Sequence, residues 1–387
     1  MTHQISKIEK LIAELCPNGV EFKELCEIAK ITIGEFVHKN KQNPNGEYPV
    51  FNGGISETGF YDEFNNTGNK IIVSARGANA GFINKIFKPY WAGNSSYSIG
   101  IVNENKINWI FVFYYLKNNQ NKLIGEQQKG GIPAVSKKQI EKFKIPIPPL
   151  PIQEEIVKIL DSFTELEAEL EAELEARKKQ YEHYRLELLV FSEGIEWNAL
   201  SEVAHFMNGK GHEKHIDENG KYIVVNSKFV STEGRVKKYS VEQISPVSKN
   251  DILMVMSDLP NGKALAKCFY VDENDKYTLN QRICALTIKN DKKINAKFLF
   301  YILNRNKQLL RYDSGADQTN LRKDDILEIK IPVPPLAEQE RIVSILDKFD
   351  ALVNDISIGL PAELSARRQQ YEYYRNQLLT FKEYAKQ

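Results

Sequence analysis

The strongest constraint in this sequence is one long motif that occurs twice. Residues 145–163 read IPIPPLPIQEEIVKILDSF, and residues 331–349 read IPVPPLAEQERIVSILDKF. Each copy is followed by a long helical pattern that ends in a tyrosine-rich segment, at residues 180–185 and again at 370–375. The start of each block is repeated too, because GVEFKEL at residues 19–25 returns as GIEWNAL at 194–200. A duplication of this size predicts two copies of one structural unit.

Both stretches that follow the motif predict amphipathic helices with a single apolar seam. Apolar side chains recur every three or four residues, which is a heptad pattern with one four-residue stutter. The seam residues of the first copy are Ile156, Phe163, Leu166, Leu170, Leu174, Tyr181 and Tyr184, and those of the second are Ile342, Phe349, Leu352, Ile356, Leu364, Tyr371 and Tyr374. Because the chain passes through a whole block between the two helices, we expect them to pack as an antiparallel coiled coil.

The two helical stretches differ in their middles. The first repeats Glu-Leu-Glu-Ala three times over residues 165–176, whereas the second has four extra residues and contains Gly359-Leu360-Pro361. Because proline lacks an N–H and its ring clashes with the preceding turn, we expect Pro361 to kink or restart the helix. Four residues are close to one turn, so we expect them to lengthen the seam without rotating it far. Forty helical residues would span about 60 Å, which suits a spacer between the blocks.

The blocks outside these helices mix short strand-like runs, turns rich in glycine and asparagine, and one helical run each. We therefore predict an α+β fold with two tandem mixed α/β domains, separated by the two long helices and related by a pseudo-twofold internal repeat. The linkers are proline-rich, which favours extended backbone before each helix, and we interpret them as hinges. The predicted boundaries are a lead helix at 1–18, a first domain at 19–145, a linker and first long helix at 146–192, a second domain at 193–331, a linker and second long helix at 332–381, and a tail at 382–387.

Charge is distributed unevenly along a chain whose formal net charge is only +1. The two blocks are net basic and the two helical stretches are net acidic, as expected if the blocks meet a polyanion and the helices do not. The N-terminus lacks the apolar core of a signal peptide, and no run reaches the roughly 18 apolar residues of a membrane span. We expect a cytoplasmic protein with no membrane partner and with its 4 cysteines reduced.

The motifs of common catalytic sites are missing from the sequence. It contains no Walker A pattern, no G-x-G-x-x-G opening a helix, no G-x-S-x-G and no H-E-x-x-H. His205, His212 and His215 form a histidine cluster, but the neighbouring glycines favour a loop, and we interpret the cluster as surface rather than as a metal site. We therefore expect no catalytic residue, no metal and no cofactor bound by this chain.

Binding chemistry remains, and it concentrates in loops of the two blocks. Arg76 could reach a guanine edge with two hydrogen bonds and Asn79 an adenine edge, and by alignment we match Arg76 with Asp258 and Asn94 with Asn280. The candidates in the first block are Arg76, Asn79, Asn94, Ser95, Ser96, Tyr97, Gln127, Gln128 and Lys129. Those in the second block are Asn261, Lys263, Asn280, Gln281, Arg282, Gln318, Thr319, Asn320, Arg322 and Lys323. Loops that differ between copies of one architecture predict that two different sequences are read.

The duplicated I-P-x-P-P-L-x-x-Q-x-x-I-V-x-I-L-D-x-F, followed by R-K/R-x-Q-Y-E-x-Y-R, closely resembles the conserved regions of type I restriction-modification specificity subunits. The resemblance implies that each block is a target-recognition domain for one half of a split site in double-stranded DNA, and that the helices set the spacing between the halves. It implies two methyltransferase subunits that carry S-adenosylmethionine and methylate adenine. It also implies restriction subunits that use ATP and Mg²⁺. This chain would itself be non-catalytic.

Three other functions stay open at the level of sequence. The chain could be the specificity subunit of another split-site restriction-modification system, in which the partner chain fuses methylation and cleavage. It could, in a different class, be a coiled-coil structural adaptor whose α+β blocks bind peptides or glycans, although the divergent basic blocks disfavour this. An enzymatic role ranks last, because no nucleophile, base or metal set stands out.

Overall fold

The structure is a computed structural model that describes residues 2–125, 132–191, 194–259, 264–313, 318–355 and 357–384. Its contacts divide the chain into two compact units. Unit 1 comprises residues 1–172 and 362–387, and unit 2 comprises residues 173–361. Each unit therefore contains one block together with parts of both long helical stretches, so the predicted spacer helices are not bodies separate from the domains.

Unit 1 is built on a four-stranded antiparallel sheet in the order β2-β8-β5-β6, a three-stranded sheet in the order β4-β3-β7 and a two-stranded ladder of β1 and β9. The elements up to the long helix are α1 (Thr2–Leu15), β1 (Glu21–Glu24), α2 (Leu25–Ile28), β2 (Ala29–Ile33), β3 (Tyr48–Phe51), β4 (Gly59–Tyr61), β5 (Lys70–Ser74), β6 (Ile83–Ile86), β7 (Trp91–Ala92), β8 (Ser96–Ile101), α3 (Trp109–Asn118), α4 (Gln120–Gly125), α5 (Lys137–Glu141), β9 (Lys144–Ile147) and α6 (Leu150–Leu188).

Unit 2 repeats this design with sheets in the orders β11-β18-β14-β16, β13-β12-β17, β10-β20 and β15-β19. Its elements are β10 (Glu196–Ala199), α7 (Leu200–Val203), β11 (Ala204–Asn208), β12 (Tyr222–Val225), α8 (Ser227–Ser231), β13 (Tyr239–Ser240), β14 (Ile252–Val255), β15 (Ser257–Asp258), β16 (Cys268–Tyr270), β17 (Tyr277–Leu279), β18 (Ile283–Ile288), α9 (Ala296–Leu303), α10 (Lys307–Leu310), β19 (Thr319–Asn320), α11 (Lys323–Leu327), β20 (Lys330–Val333) and α12 (Leu336–Asn354). The last helix of the chain is α13 (Leu360–Leu378).

The second helical stretch is interrupted where the sequence has its Gly-Leu-Pro. Helix α12 ends at Asn354, and α13 begins at Leu360 with Pro361 in its first turn. The prediction that Pro361 restarts the helix is thus confirmed, since proline is tolerated where no N–H is needed. We expected the four extra residues to lengthen the helical seam without rotating it far, but the segment between α12 and α13 is not helical where it is described.

The proline-rich linkers are strands rather than hinges. In unit 1, β9 pairs antiparallel with β1, so that Ile145 faces Lys23. In unit 2, β20 pairs with β10, and Ile331 faces Asn198. Ile145 and Ile331 are both fully buried. The prolines do fix extended backbone as expected, but the strand pairing and the buried isoleucines anchor the linker to the start of the block, which corrects the interpretation as a hinge.

A buried glutamine in the first turn of each long helix joins that helix to its block. In unit 1, Gln153 accepts a hydrogen bond from the Asn108 N–H at 2.9 Å and donates to the carbonyls of Lys106 and Pro148 at 3.1 and 2.7 Å. The Asn108 side chain in turn caps α3 by accepting from two N–H groups. All the polar atoms of this buried amide are therefore paired, as burial requires.

Unit 2 contains the same arrangement at Gln339. Its side chain accepts from the Asn295 N–H at 2.8 Å and donates to the carbonyls of Lys293 and Pro334 at 3.0 and 2.7 Å. Asn295 caps α9, as its counterpart caps α3. We call this arrangement the glutamine anchor; it explains why the duplicated motif contains a glutamine at this position.

A tyrosine–aspartate hydrogen bond makes a second connection between block and helix in each unit. Tyr114 of α3 donates to Asp161 of α6 at 2.5 Å, and Tyr301 of α9 donates to Asp347 of α12. Burial, reinforced by the neighbouring carboxylate, raises the pKa of both phenols. Both phenols therefore stay protonated and can keep donating.

The cation beside this pair comes from a different element in each unit. Lys85 of β6 lies 3.5 Å from Asp161 in unit 1, whereas Lys297 of α9 lies 3.6 Å from Asp347 in unit 2. Lys297 also lies over the ring of Tyr270. Tyr270 of β16 occupies the position in the four-stranded sheet of unit 2 that Lys85 of β6 occupies in unit 1. The two units thus keep one local charge balance with different residues.

The predicted seam is buried along only part of its length. Ile156, Phe163, Tyr181, Ile342 and Leu364 are buried, and Leu170, Leu174, Phe349, Tyr371 and Tyr374 are half-buried. Leu166 and Leu352 are 39% and 36% exposed, so their prediction as packed seam residues is wrong. Tyr184 is 38% exposed, but its ring packs against Phe349 as the seam predicts. Ile356 lies outside the described residues. Leu160 and Leu346 are fully buried although the seam omits them, because each helix also packs a second stripe against its own block.

The chain ends pack together in unit 1. The Val20 N–H donates to the Lys382 carbonyl at 2.9 Å, and the Tyr384 N–H donates to the Val20 carbonyl at 2.8 Å. Phe381 packs edge-on against Phe111, as Phe191 packs against Phe298 in unit 2. The end of α13 is thereby bound in unit 1 in the way that the end of α6 is bound in unit 2. Within the described ranges, no helix has the length and apolar character needed to cross a membrane.

The glutamine anchor predicts a large stability effect from a single side chain. Replacing Gln153 with leucine leaves the Asn108 N–H and two carbonyls buried without partners, and each unmade hydrogen bond costs about 1–3 kcal/mol. We expect Gln153→Leu to lower the free energy of unfolding by roughly 2–4 kcal/mol, measured by urea denaturation of the full chain. The exposed Gln377 of α13 supplies the matched control, and Gln377→Leu should leave stability within about 0.5 kcal/mol of wild type. Equal effects of the two substitutions would contradict this role.

Candidate nucleic-acid interface

Three loops of unit 1 meet at one edge of its sheets. The Ala75 N–H donates to the Ser95 carbonyl at 2.7 Å, and the Val135 N–H donates to the Ala75 carbonyl at 2.9 Å. Arg76 forms an isolated backbone bridge with Ala134. We call the segments 75–79, 93–95 and 133–135 the rim of unit 1; their backbones are fixed by one another while several side chains stay free.

Four of the predicted residues of the first block lie on this rim. Arg76, Asn79 and Asn94 are exposed, and Ser95 is half-buried. Two others are corrected. Ser96 is buried, and its hydroxyl donates to the carbonyls of Phe51 and Gly93. Tyr97 is buried as well, and its hydroxyl donates to the Val135 carbonyl at 3.3 Å. Because β8 begins at Ser96, these side chains belong to the fold rather than to an exposed surface.

A fourth loop, at residues 52–54, packs against the rim of unit 1 and was missed by the sequence reasoning. The Asn52 side chain accepts from the Ser95 N–H at 3.0 Å. Gly53 has a positive φ of 77°, and a Cβ there would lie 3.1 Å from the Arg76 carbonyl and from the Ser95 side chain. Only glycine combines this backbone with so close an approach. The signal in the sequence was the Asn-Gly-Gly at residues 52–54, which reads as an ordinary turn.

Unit 2 builds its rim with the same backbone hydrogen bonds. The Met256 N–H donates to the Arg282 carbonyl at 2.9 Å, and the Leu321 N–H donates to the Met256 carbonyl at 2.8 Å. Ser257 pairs with Asn320 in the ladder of β15 and β19. We call the segments 256–259, 280–282 and 318–321 the rim of unit 2.

These hydrogen bonds correct two matches made from sequence. Met256 makes the hydrogen bonds in unit 2 that Ala75 makes in unit 1. Arg76 therefore corresponds to Ser257 and not to Asp258. Likewise Arg282 corresponds to Ser95, so Asn94 corresponds to Gln281 and not to Asn280. Both matches were off by one residue. The loops have similar compositions and no distinctive residue that would set the register of an alignment.

The rim of unit 2 borders a polar cleft. Asn280, Arg282 and Gln318, all predicted, line it together with eight other residues: Asn226, Ser227, Lys228, Ser231, Ser257, Asp258, Leu259 and Ala264. The Gln318 amide donates to the Ser257 hydroxyl at 2.8 Å. Leu259 is 67% exposed and supplies an apolar contact at the mouth of the cleft. The missed polar residues Asn226, Ser227, Lys228 and Ser231 come from α8 and its N-cap, which a strand-and-loop reading of this region did not anticipate.

The remaining predicted residues of unit 2 lie on or near the rim. Thr319 and Asn320 form β19, Gln281 is exposed, Arg322 is the N-cap of α11, and Lys323 is the first residue of that helix. Lys323 lies over the ring of Phe206 at 5.7 Å. Gln127, Gln128, Lys129, Asn261 and Lys263 lie outside the described residues, so their prediction stands as made.

His212 is a fold residue and not part of a surface cluster. Its ring is buried between the Lys210 carbonyl at 2.7 Å and the Thr278 hydroxyl at 2.8 Å. Burial lowers the pKa of this imidazole, so it is neutral near neutral pH. His205 is exposed and His215 is half-buried. In the part of the chain that the structure describes, no three His, Cys, Asp or Glu side chains are grouped as a metal site would need.

A basic pocket lies beyond the rim of unit 1, along the segment that follows Ala134. Its lining combines the aromatic rings of Phe22, Tyr115 and Phe143 with the lysines Lys122, Lys138, Lys142 and Lys144. Lys138 and Lys142 are exposed and have no ion pair among the described residues. The positions 186 residues later are Asp324 and Glu328, so unit 2 reverses this local charge.

Comparison with known proteins gives a consistent result. The family model described as type I restriction modification DNA specificity domain matches residues 17–176 and 193–366. The type I restriction enzyme EcoR124I/EcoR124II specificity subunit of Escherichia coli is 35% identical over 301 residues, covering 72% of this chain and 72% of that protein. The type I restriction enzyme MjaVIII specificity subunit of Methanocaldococcus jannaschii is 28% identical over 385 residues, covering 87% of this chain and 88% of its own length.

Solved structures share the fold at low sequence identity. The S subunit of a type I restriction-modification system from M. genitalium superposes with a TM-score of 0.61 at 20% identity, covering 93% of this chain and 96% of that one. A chain from a type I R-M system, solved in a study of complex assembly and conformational transition, gives a TM-score of 0.58 at 15% identity over 94% of this chain and 98% of its own. Both therefore share their fold with this chain over nearly its whole length.

Proposed function

We propose that this chain, which belongs to the family of type I restriction-modification DNA specificity subunits, binds a bipartite site in double-stranded DNA with one rim on each half-site. The observation that carries the proposal is the pair of rims. Their backbone hydrogen bonds are the same in the two units, while their exposed side chains differ. Base edges are read by side chains placed at fixed positions. Two different half-sites therefore require the same loop backbone with different exposed side chains.

The chemistry of both rims suits contacts with base edges. Amide side chains such as Asn79 and Gln318 can both donate and accept, and guanidinium groups donate two parallel hydrogen bonds. The exposed Leu259 offers an apolar surface of the kind that contacts a thymine methyl group. The N–H groups of Ala75, Val135, Met256 and Leu321 are used by hydrogen bonds between the rim loops, so we assign recognition to the side chains.

The two helical stretches would form an antiparallel coiled coil that joins the two units. Contacts within each unit support this. In unit 1, Phe163 packs against Tyr371 and Tyr374, and Arg368 pairs with Glu167 at 2.6 Å and with Glu171. Residue numbers rise along one helix as they fall along the other, as in an antiparallel pair. In unit 2, Tyr181 and Tyr184 pack against Phe349.

The chain would act within a larger complex and would leave the chemistry to its partners. Two methyltransferase subunits would dock on the helices and carry the S-adenosylmethionine that methylates adenine. Restriction subunits would add ATP- and Mg²⁺-dependent cleavage. The acidic, exposed faces of the helices suit protein partners better than DNA, since like charge repels a polyanion. We expect the complex to work in the cytoplasm, where its DNA is.

The Glu-Leu-Glu-Ala repeat gives a direct test of the spacing role. Deleting one four-residue unit from 165–176 shortens α6 by about 6 Å, which is comparable to one or two base-pair steps of ~3.4 Å. We expect the deletion to shorten the unspecified spacer of the DNA site and to leave both half-sites unchanged. The measurement is selection of bound duplexes from a randomised library by the full chain. A changed half-site would refute the spacing role.

The basic pocket of unit 1 predicts phosphate contacts beside the first half-site. Each neutralised phosphate contributes about −0.9 to the slope of log affinity against log salt. Replacing Lys138 and Lys142 with glutamine should therefore reduce the slope by about 2 without altering base preference. The paired lysines Lys137 and Lys144, at 3.4 and 3.8 Å from Glu141 and Glu383, are the matched control and should change the slope less. An unaltered slope in the first variant would exclude these contacts.

A further inference from the structure

We infer that each rim reads one guanine with a single arginine, and that the two arginines stand on different loops of the same frame, so that the guanines fall at different positions in the two half-sites. Unit 1 holds its arginine at Arg76, where unit 2 has Ser257. Unit 2 holds its arginine at Arg282, where unit 1 has Ser95. The inference rests on the proposed DNA-binding function and assigns two specificity-determining residues within it.

The exchange is reciprocal, which distinguishes it from scattered surface charge. Unit 1 has arginine on the first loop, at Arg76, and serine on the second, at Ser95. Unit 2 has serine on the first loop, at Ser257, and arginine on the second, at Arg282. Arg76 is moreover the single arginine in residues 19–145. Lysines are frequent in the same block, so a general need for positive charge does not account for one arginine at this place.

Both guanidinium groups are free to meet a ligand. Arg76 and Arg282 are exposed, and neither side chain has a hydrogen bond or ion pair within the described part of the chain. The carboxylate of Asp258 also lines the cleft. It accepts hydrogen bonds from the N–H groups of Leu259 and Ala264 at 3.0 and 2.7 Å and, in the described portion of unit 2, has no ion pair with Arg282. Arg282 therefore keeps its donors available at the cleft that it lines.

The backbones that carry the two arginines are held in place. Arg76 is bridged to Ala134, and the residue before it is bonded to two loops at once. The Arg282 carbonyl accepts from Met256, and its N–H lies 3.4 Å from the Asn280 side chain. A guanidinium on a fixed backbone can offer two parallel N–H groups to the O6 and N7 atoms of guanine, whereas a mobile one serves phosphate equally well.

The test is selection of bound duplexes from a library in which both half-sites are randomised, with full-length wild type, Arg76→Ser, Arg282→Ser and the double variant Arg76→Ser with Ser95→Arg. Wild type should select guanine at one position in each half-site. Arg76→Ser should lose the guanine preference of the first half-site alone, and Arg282→Ser that of the second alone. Each loss should be about 5- to 140-fold in discrimination.

The double variant tests the reciprocal placement. Moving the arginine to the loop that carries it in unit 2 should restore a guanine preference in the first half-site, at a different position from that in wild type. Thermal unfolding followed by circular dichroism checks that the double variant folds. Should it unfold, the two single variants still decide the inference through their separate half-sites.

Several results would overturn the inference, and they differ from those that overturn the proposed function. Equal weakening on all sequences by Arg76→Ser would make Arg76 a phosphate contact, and unchanged preferences would remove both arginines from base reading. Arg311, exposed, stacked on Tyr312 and outside the three rim segments, is the control; an equal effect of Arg311→Ser would make the losses non-specific. If wild type itself selects no bipartite sequence, the proposed function fails along with the inference.

Discussion

The buried glutamine in the first turn of each long helix is the contact on which the rest of this structure depends. One amide side chain in unit 1 accepts from the N–H of Asn108, the residue that caps the block's main helix, and donates to the carbonyls of Lys106 and Pro148. It therefore fixes the direction in which the long helix leaves its block. The tyrosine–aspartate bond about two turns later fixes it a second time. Both contacts join a block to its length of helix, which explains why each compact unit includes both.

The two units share the same buried polar contacts and differ in their exposed side chains. The glutamine anchor, the tyrosine–aspartate bond and the hydrogen bonds of the rims occur twice with the same geometry. The exposed side chains on the rims, the lysines or acids beside them and the middle of the helical stretches differ. Buried polar groups must be paired, so a change in one requires a compensating change in another. Exposed loop residues carry no such requirement, and specificity can change there without loss of the fold.

The sequence predicted the duplicated architecture well because its main signals are local and repeated. Strands form from short apolar runs at Tyr222–Val225 and Ile252–Val255, and Pro361 restarts a helix as its chemistry requires. The predictions that failed depend on contacts between distant residues. The linker prolines gave no sign that β9 would pair with β1. Burial of Ser96 and of Tyr97 follows from strand β8, which begins at Ser96. The register of Arg76 against Ser257 became visible only from hydrogen bonds.

The central claim is that one chain holds two reading surfaces for two separate halves of one DNA site. The most direct measurement is selection of duplexes from a fully random library by the full-length wild-type chain, followed by sequencing of the bound fraction. The account predicts two specified blocks of different sequence, separated by an unspecified spacer of constant length, with affinity that falls as salt rises. One contiguous block, or no enriched sequence together with salt-independent binding, would contradict it.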